Sequence, residues 1–553
     1  MRADGRKQQE RLDSLEYQED QEMAGTRARV TQEWPRFAAL FVAAALAAPC
    51  VSVALTALRA PAVVAHVVAG VLALAGAALA HIKVPKELAA LGKGAHLLFV
   101  LWLILAAGAI YKVSNLALFI DDVSRTEHAF QRQFREMDAP ELTKPFYVKH
   151  NCSTCYLVAA HLAGSGVENL YDKKYYRNAT ERTPVHDDIG SSFNVDQYQY
   201  PPPFLLGPYL FLRTGLDFFQ IRAIFFALSV ILFALTSGAI TVWICGWRFH
   251  ALWLIWPALL IAPSVMATLQ MGNAHAFMIL IAVLAMICFE KRWFAAGGGL
   301  LAYAMLSKFF PGILIAWLLL RRRWRAATWT AGWTVVLCVA TLVAFGTTPF
   351  KAFLSHQLPA IASGEAFSFA FNVPGAMLNN SSIMGIPYKL DVIGGPVSWD
   401  KALVARILTW IYTLLVLLVL VLAARRYGSV DARVAGGLGT EKDRLLMARL
   451  WMALLVLAQL RSPFLPGVYG NTGMLLLLAL MLPLDDVRPA RLALIAAGVF
   501  VYSLVLPLPF GPLSSSFDYG FGVFATIFAA GLAAFVTLRR APAWTAAAEN
   551  PAE

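Results

Sequence analysis

The dominant pattern along the chain is a series of long apolar stretches separated by polar and often basic segments. A helix of about 20 apolar residues spans a hydrocarbon core of about 30 Å. The candidate spans fall at about 37–58, 62–82, 96–119, 219–244, 251–269, 276–290, 327–345, 402–424, 490–508 and 520–538. This pattern predicts an all-α polytopic membrane protein.

Two further apolar stretches carry a polar interruption near their middle. The stretch at 293–320 is interrupted by Lys308 and Pro311, and the stretch at 450–483 by Arg461 and Pro463. Each limb has only about 11–14 residues, which is too short for a straight span. We therefore predict two bent pairs that go out and come back, with their tips within membrane depth beneath an outward cavity.

The distribution of basic residues orients the chain. Lys and Arg in short loops favour the cytoplasmic side, so we predict that both termini are cytoplasmic. The predicted parts are a cytoplasmic tail (1–36), N-terminal transmembrane helices (37–119), an outward or periplasmic loop with amphipathic helices (120–200), a transmembrane core (201–540) and a cytoplasmic C-terminal tail (541–553). The first 35 residues lack a signal-peptide pattern, so the first span is expected to remain as an anchor.

Composition narrows the function classes. The chain is 59% hydrophobic and only 14% charged, which argues against a soluble protein. Its net charge of +12 fits basic cytoplasmic loops, and no basic-aromatic motif predicts a nucleic-acid partner. Cys152 and Cys155 form a lone CxxC, which suits a local disulfide or two idle thiols better than zinc, so no metal is predicted. An alanine-rich composition without a eukaryotic sorting signal favours a bacterial inner membrane.

Lys308 and Arg461 are the first candidate site residues. A cation at the centre of a membrane helix costs roughly 2.5–3.5 kcal/mol on insertion scales, so it usually faces a cavity and has a partner. Each of these cations lies beside a proline that breaks the helix. We predict that the two side chains line a binding site for an anionic substrate.

Asp121 and Asp122 are candidate catalytic bases at the start of the long outward loop. Adjacent carboxylates near a low-dielectric boundary raise each other's pKa, which suits a base that works near neutral pH. The segment 121–135 also has the periodicity of an amphipathic interfacial helix, so a purely structural role is the alternative. If neither aspartate acts, the candidates become Asp187, Asp188 and Asp196.

Two amide-rich outward turns supply further candidates for substrate binding. Uncharged hydrogen-bonding groups suit a hydroxylated ligand such as a sugar, although such residues also cap helices. Tyr200 precedes two prolines where the chain re-enters the membrane, a position that is more often structural. The turn residues are Gln270, Asn273 and His275 in the first turn, and Asn379 and Asn380 in the second.

These motifs, in this order, resemble glycosyltransferase family 87 of the GT-C superfamily, over roughly 120–490. The matching pieces are Tyr156-Leu157-Val158-Ala159-Ala160, Asn169-Leu170-Tyr171-Asp172, Tyr200-Pro201-Pro202, the Gln270 to Asn273 turn, Lys308-Phe309-Phe310-Pro311, Asn379-Asn380-Ser381 and Ser462-Pro463. The resemblance implies a GT-C-like bundle, here of about 12–14 transmembrane or half-membrane helices.

The resemblance also implies the reaction. An enzyme of this kind takes a sugar, mannose or a related hexose or pentose, from a polyprenyl-phosphate donor. It passes the sugar with inversion to a lipid or glycan acceptor on the outer face, without a cofactor. An aspartate in the first outward loop is the expected base. This chain has His150-Asn151-Cys152 where the family usually has that aspartate, and Asp121 or Asp122 is the substitute.

Two other classes of protein remain open. Broken helices with cations at membrane depth also describe transporters and flippases, which are built from internal repeats. The surrounding spans show no matching halves, and a long outward loop with paired aspartates fits an enzyme better. A ligase or polymerase acting on a lipid-linked anionic substrate is the third possibility.

Overall fold

The computed structural model describes residues 104–106, 108–109, 113, 151–176, 196–216, 218–246, 252, 255–372, 374–394, 400–481 and 515–539. Within these residues the chain is helical and contains no β-strand, and one isolated bridge pairs Asn380 with Pro466. The predicted all-α class is therefore confirmed. The predicted spans at 37–58, 62–82 and 490–508 lie outside the described residues, and so do both chain tails.

The helices that the structure describes are numbered here in chain order. They are α1 (Asn151–Gly164), α2 (Leu206–Leu212), α3 (Phe218–Cys245), α4 (Ile255–Ile261), α5 (Pro263–Met271), α6 (His275–Glu290), α7 (Phe294–Ser307), α8 (Gly312–Leu320), α9 (Trp324–Phe345), α10 (Thr348–Ala352), α11 (Leu358–Ser363), α12 (Phe369–Asn372), α13 (Pro374–Asn379), α14 (Ile386–Val392), α15 (Lys401–Arg426), α16 (Gly428–Ala435), α17 (Glu441–Leu460), α18 (Gly467–Gly470), α19 (Thr472–Leu480) and α20 (Ser515–Leu538).

Four of these helices are long and apolar enough to cross a membrane. They comprise residues Gln220–Cys245, Trp324–Phe345, Lys401–Arg426 and Tyr519–Leu538. A fifth candidate span is the pair formed by α5 and α6, which bends by 107° between its two helices. The described part of the chain thus has the architecture of a polytopic membrane protein.

The segment predicted as one outward span at 251–269 is broken in the structure. It forms the two short helices α4 and α5, which are separated at Ala262. Pro263 at the first position of α5 has no N–H group to donate into the preceding turn, and it keeps Ala262 extended at φ −60° and ψ 133°. A helix of the length of α5, about 14 Å, does not cross a bilayer by itself.

The first interrupted stretch is a bent pair, as predicted. Helix α7 ends at Ser307, Lys308 is extended, and α8 begins after Pro311. Arg323, which follows α8, forms an ion pair with Glu290, which precedes α7. Because the two ends of the stretch meet, the chain goes out and returns to the same face.

The second interrupted stretch also returns to its starting level. Helix α17 ends at Leu460, and α19 runs back as far as Leu480. The Nε of Arg449, in the first half of α17, donates to the carbonyl oxygen of Leu480 over 2.7 Å. The tip between the two helices, residues 461–466, therefore lies at the far end of α17.

Basic side chains at one end of the bundle hold the helix ends together, and this end is called the basic face. Arg321 pairs with Asp431 at 3.2 Å, and Arg323 binds both Glu290 and Asp431. Arg444 donates to the carbonyl oxygen of Ile244 at the end of α3. The opposite end, which carries the two tips, is called the tip face.

The core of the bundle is built around α17 and a close contact between α7 and α9. Trp451 of α17 is fully buried and stacks on Trp243 of α3, with ring centroids 5.4 Å apart. A Cβ on Gly298 would lie 2.7 Å from the backbone of Trp329, so only glycine allows α7 and α9 to approach so closely. Small residues serve this purpose between membrane helices.

We predict that Arg323→Ala destabilises the protein by roughly 3 kcal/mol, because it leaves two buried carboxylates with one cation fewer. Thermal unfolding of the purified protein in a neutral detergent measures the effect. Arg322→Ala is the matched control, since Arg322 is exposed and its removal should change the stability by less than about 0.5 kcal/mol. Equal effects of the two substitutions would show that the ion pairs do not hold the hairpin closed.

Candidate functional site

The tip face brings together polar segments that are far apart in the sequence. These are α1, residues 196–200, the turn between α5 and α6, the Lys308 tip and the end of α17 that leads into the 461–466 tip. The first three meet through side-chain hydrogen bonds, and Phe310 beside Lys308 and Gln459 near the end of α17 both contact His275.

Tyr200 lies at the centre of this arrangement. Three prolines follow it, and Pro202 and Pro203 begin a short 3₁₀ helix that fixes the direction of the chain. Its ring packs on Phe204 at 4.9 Å and against Tyr156 of α1 at 5.2 Å. Burial raises the pKa of Tyr200 well above its usual range, so its hydroxyl stays protonated and neutral.

The amine of Lys308 is held by this tyrosine. Its Nζ lies 3.1 Å from the Tyr200 hydroxyl oxygen and 4.3 Å from the centre of the ring. Within the described residues no carboxylate lies within ion-pair distance of Lys308. A neutral phenol and a cation–π contact stabilise an ammonium group without neutralising its charge. Among the described residues, the positive charge at this tip therefore has no carboxylate counter-charge.

Tyr156 connects Tyr200 to the turn between α5 and α6. Its hydroxyl lies 3.0 Å from that of Tyr200 and accepts a hydrogen bond from the backbone N–H of Ala274 at 3.2 Å. The hydroxyl of Tyr171 donates to the carbonyl oxygen of Tyr200 at 3.0 Å. Tyr200 is thus fixed from three directions, which fixes in turn the position of the Lys308 amine.

The turn before α6 is docked on α1. Gly272 has φ 67°, and a Cβ at this residue would lie 1.8 Å from the Oγ of Ser153. The Asn273 side chain accepts from the His275 N–H at 2.7 Å and donates to the Cys152 sulfur at 3.1 Å. The Asn273 amide therefore binds the first N–H group of α6 and the sulfur of Cys152 in α1. This is the structural, helix-capping role that was the alternative to substrate binding for this residue.

The side-chain NH2 group of Gln270 donates to no described residue. Its backbone oxygen accepts from Arg222 at 2.5 Å, and so does that of Leu269, so that Arg222 caps the end of α5. The side-chain Nε2 of Gln270 is buried and has no hydrogen-bond partner in the described part of the chain. A buried donor without a partner is costly, and a bound polar group would satisfy it.

His275 joins the two tips. Its Nε2 lies 3.0 Å from the Oε1 of Gln459, near the end of α17, and its ring lies 4.9 Å from that of Phe310 beside Lys308. Gln459 in turn donates to the carbonyl oxygen of Gly470. Within the described residues no group of three His, Cys, Asp or Glu side chains converges in a way that suits a metal ion.

Cys152 and Cys155 are both buried, and they are not joined by a disulfide. The Cys152 sulfur lies 3.7 Å from the Oδ2 of Asp196, whose side chain is exposed. Burial has the largest effect on the pKa of the Cys152 thiol and raises it. Asp196 raises this pKa further, and Lys308 lowers it. The thiol therefore stays protonated, and Asp196 lies in the same part of the tip face as Lys308.

Arg461 is exposed at the end of α17. Its Nε donates to the hydroxyl of Thr413 in α15 at 3.1 Å, and no carboxylate of the described residues pairs with it. Like Lys308, it has a hydroxyl and no acidic group as its partner within the part of the chain that the structure describes.

The two adjacent asparagines of the second turn have different environments. Asn380 is fully buried, and its Oδ1 accepts from the N–H groups of Ser382 and Leu465 while its Nδ2 donates to Pro463. It holds the 461–466 tip in place with its whole amide. Asn379, at the end of α13, is half-buried.

Some candidate residues cannot be placed in this arrangement. Asp121, Asp122, Asp187 and Asp188 lie outside the described residues. Conversely, sequence reasoning missed Tyr156, Arg222 and Gln459 as parts of the site. Tyr156 belongs to one of the family motifs, but its sequence context does not indicate a role in the site. Arg222 and Gln459 lie inside apolar helices, and their polarity at these positions is the signal that could have found them.

Together, the broken helices and their polar tips define a multispanning helical membrane protein with a cationic polar site at one end. The sequence model of glycosyltransferase family 87 matches residues 198–438, so this region of the chain is similar to that family. The match includes Tyr200 and Lys308 but neither α1 nor Arg461, and it is shorter than the predicted range of 120–490. Comparisons with curated proteins and with solved structures gave no significant match.

We predict that Asn380→Ala lowers the stability by roughly 2–3 kcal/mol, because it leaves buried backbone groups of the 461–466 tip without partners. Asn379→Ala, the neighbouring substitution, should change it by less than about 0.5 kcal/mol. Thermal unfolding of both variants measures the difference. A stable Asn380→Ala protein would mean that the tip is held by other contacts.

Proposed function

We propose that this protein is a membrane glycosyltransferase that takes a sugar from a polyprenyl-phosphate donor and transfers it to a lipid or glycan acceptor on the outer face of a bacterial inner membrane. The family match supports the glycosyltransferase class. The observation that carries the choice of donor is the Lys308 amine, which has a neutral phenol and, among the residues described, no carboxylate as its partner.

The chemistry of the leaving group fits this site. As the glycosidic bond breaks, negative charge develops on the phosphate of the lipid carrier. A fixed cation in a partly dry site stabilises that charge better than water does. Lys308 acts as a point charge held by Tyr200, whereas Arg461 can bind phosphate oxygens with two parallel hydrogen bonds. These two side chains form the proposed phosphate clamp.

The neighbouring polar groups suit the sugar. The free Nε2 donor of Gln270 offers a hydrogen bond to a hydroxyl oxygen. Asn273 and His275, by contrast, are engaged with other protein groups and support the turn. We assign the sugar contact to Gln270 and a positioning role to the other two.

The base that accepts the proton of the acceptor hydroxyl is an aspartate of the long outward loop. Asp121 and Asp122 remain candidates from the sequence. Asp196 is supported by its exposed carboxylate beside Cys152, in the part of the tip face that also holds Lys308. We therefore place Asp196 first among the loop aspartates.

A transporter or flippase is the second candidate function, favoured by the 107° bend between α5 and α6. Purified protein incubated with a radiolabelled polyprenyl-phosphate sugar and a glycan acceptor distinguishes the two. Transfer of label to the acceptor supports the enzyme. Uptake of the labelled lipid-linked sugar into proteoliposomes, without a transfer product, would support the transporter.

We predict that Lys308→Met lowers kcat/KM for sugar transfer by about 100-fold or more, because it removes the charge and keeps most of the side-chain volume. Tyr200→Phe should cost about 5-fold to 10-fold through the lost hydrogen bond to the amine. Lys351→Met, which removes an exposed cation elsewhere, is the control and should retain full activity. Undiminished transfer by a folded Lys308→Met protein would eliminate the phosphate clamp.

We predict that Asp196→Asn abolishes most transfer, because an amide cannot accept the proton of the acceptor hydroxyl. Asp121→Asn and Asp122→Asn, assayed in parallel, test the other two candidates. If Asp196→Asn is fully active and one of the other variants is inactive, the role of base passes to that residue.

A further inference from the structure

Two helix connections on the basic face have the same unusual backbone. The first comprises residues 291–293, between α6 and α7, and the second comprises residues 321–323, between α8 and α9. Both are called the paired arginine turns. Arg292 and Arg322 hold the same place in the two turns and have φ values of 62° and 52°. Among the described residues these are the only two that are not glycine and have positive φ.

The hydrogen bonds of the two turns also correspond. In the first, Arg292 donates to Phe289 and Trp293 to Cys288; in the second, Arg322 donates to Leu319 and Arg323 to Leu318. This is the Schellman pattern, in which the left-handed residue is usually glycine. A side chain with a Cβ is unfavourable there. The same departure at two sites suggests that the arginine side chain itself is needed.

Both side chains are exposed and without a partner among the described residues. Arg292 and Arg322 make no ion pair or side-chain hydrogen bond there. The acidic groups that pair with residues of the two turns, Glu290 and Asp431, are buried and are bound by Arg321 and Arg323. The two guanidinium groups are therefore exposed, and no carboxylate in the described part of the chain compensates their charge.

The two turns lie side by side and form one surface. Arg323 of the second turn pairs with Glu290 next to the first, and the guanidinium of Arg325 lies 4.9 Å from the ring centre of Phe294. Lys291 and Arg325 add two more exposed cations to those of Arg292 and Arg322. Four positive charges are thus collected on one small surface.

The position of this surface indicates what binds it. Trp293 is 65% exposed and Trp324 59% exposed, and tryptophan is enriched at the headgroup level of membranes. Helix α9 starts at Trp324 and presents exposed apolar side chains, including Val335, Val339 and Val343, that suit contact with lipid tails. The paired turns therefore lie where the hydrocarbon ends and the phosphate groups of the lipids begin.

We propose that the paired arginine turns bind the phosphate group of an acidic phospholipid. Arginine suits this partner because its planar group binds phosphate oxygens with two parallel hydrogen bonds. The tryptophans pack against the adjoining glycerol and acyl chains. This site is separate from the tip face, and it does not depend on the proposed reaction.

The test compares the stabilising effect of added lipids on the purified protein in a neutral detergent. A ligand that binds the folded state raises the unfolding temperature. Phosphatidylglycerol should raise the unfolding temperature of the wild-type protein, and phosphatidylcholine should raise it much less. The double variant Arg292→Gly/Arg322→Gly should be at least as stable as wild type without lipid, because glycine suits a left-handed turn. It should lose about half or more of the phosphatidylglycerol effect.

Two further variants separate the lipid site from other effects. Arg292→Gln/Arg322→Gln keeps the Cβ and removes the charge, and it should lose the lipid effect as the glycine variant does. Lys173→Gln/Lys351→Gln removes two exposed charges elsewhere and should keep the full effect. The proposal is overturned if both arginine variants retain the wild-type shift, if the lysine variant loses it equally, or if glycerol phosphate alone reproduces it.

Discussion

An ammonium group at a break between two apolar helices requires a partner, and the partner of Lys308 is the neutral hydroxyl of Tyr200. This interaction positions the charge without cancelling it. Tyr156 and Tyr171 hold the tyrosine, and the turn before α6 holds Tyr156 through the N–H of Ala274. The proposed function depends on this chain of contacts, because a cation neutralised by the protein would have nothing to offer an anionic substrate.

The two ends of the bundle use their positive charges differently. On the basic face, Arg321 and Arg323 are bound by buried carboxylates and close the α7–α8 hairpin. On the tip face, Lys308 and Arg461 have hydroxyl partners within the described residues. Ion pairs that neutralise buried charge hold a structure together, whereas fixed charges without counter-ions attract a ligand. The protein thus separates the arginines that hold its fold from the cations of its candidate site.

Hydrophobic length and proline position predict much of this fold. The 219–244 span and both bent pairs are found where the sequence places them, because an apolar run and a proline act locally. The break at Pro263 differs from the predicted single span because the proline lies within a continuous apolar run, and hydrophobic length alone does not reveal where such a run bends. The contacts of Tyr200 with Tyr156 and Lys308 join residues 44 and 108 positions apart, and no local pattern reveals them. Asn379 and Asn380 were likewise equivalent in the sequence and differ only through tertiary packing.

The most direct test of the account is a structure of the protein with a bound polyprenyl phosphate, determined by electron cryo-microscopy in a lipid nanodisc. The account predicts density for the phosphate group in contact with the Nζ of Lys308, beside Tyr200 and within reach of Arg461. A phosphate bound elsewhere, with the Lys308 amine paired to a carboxylate of the chain, would contradict it.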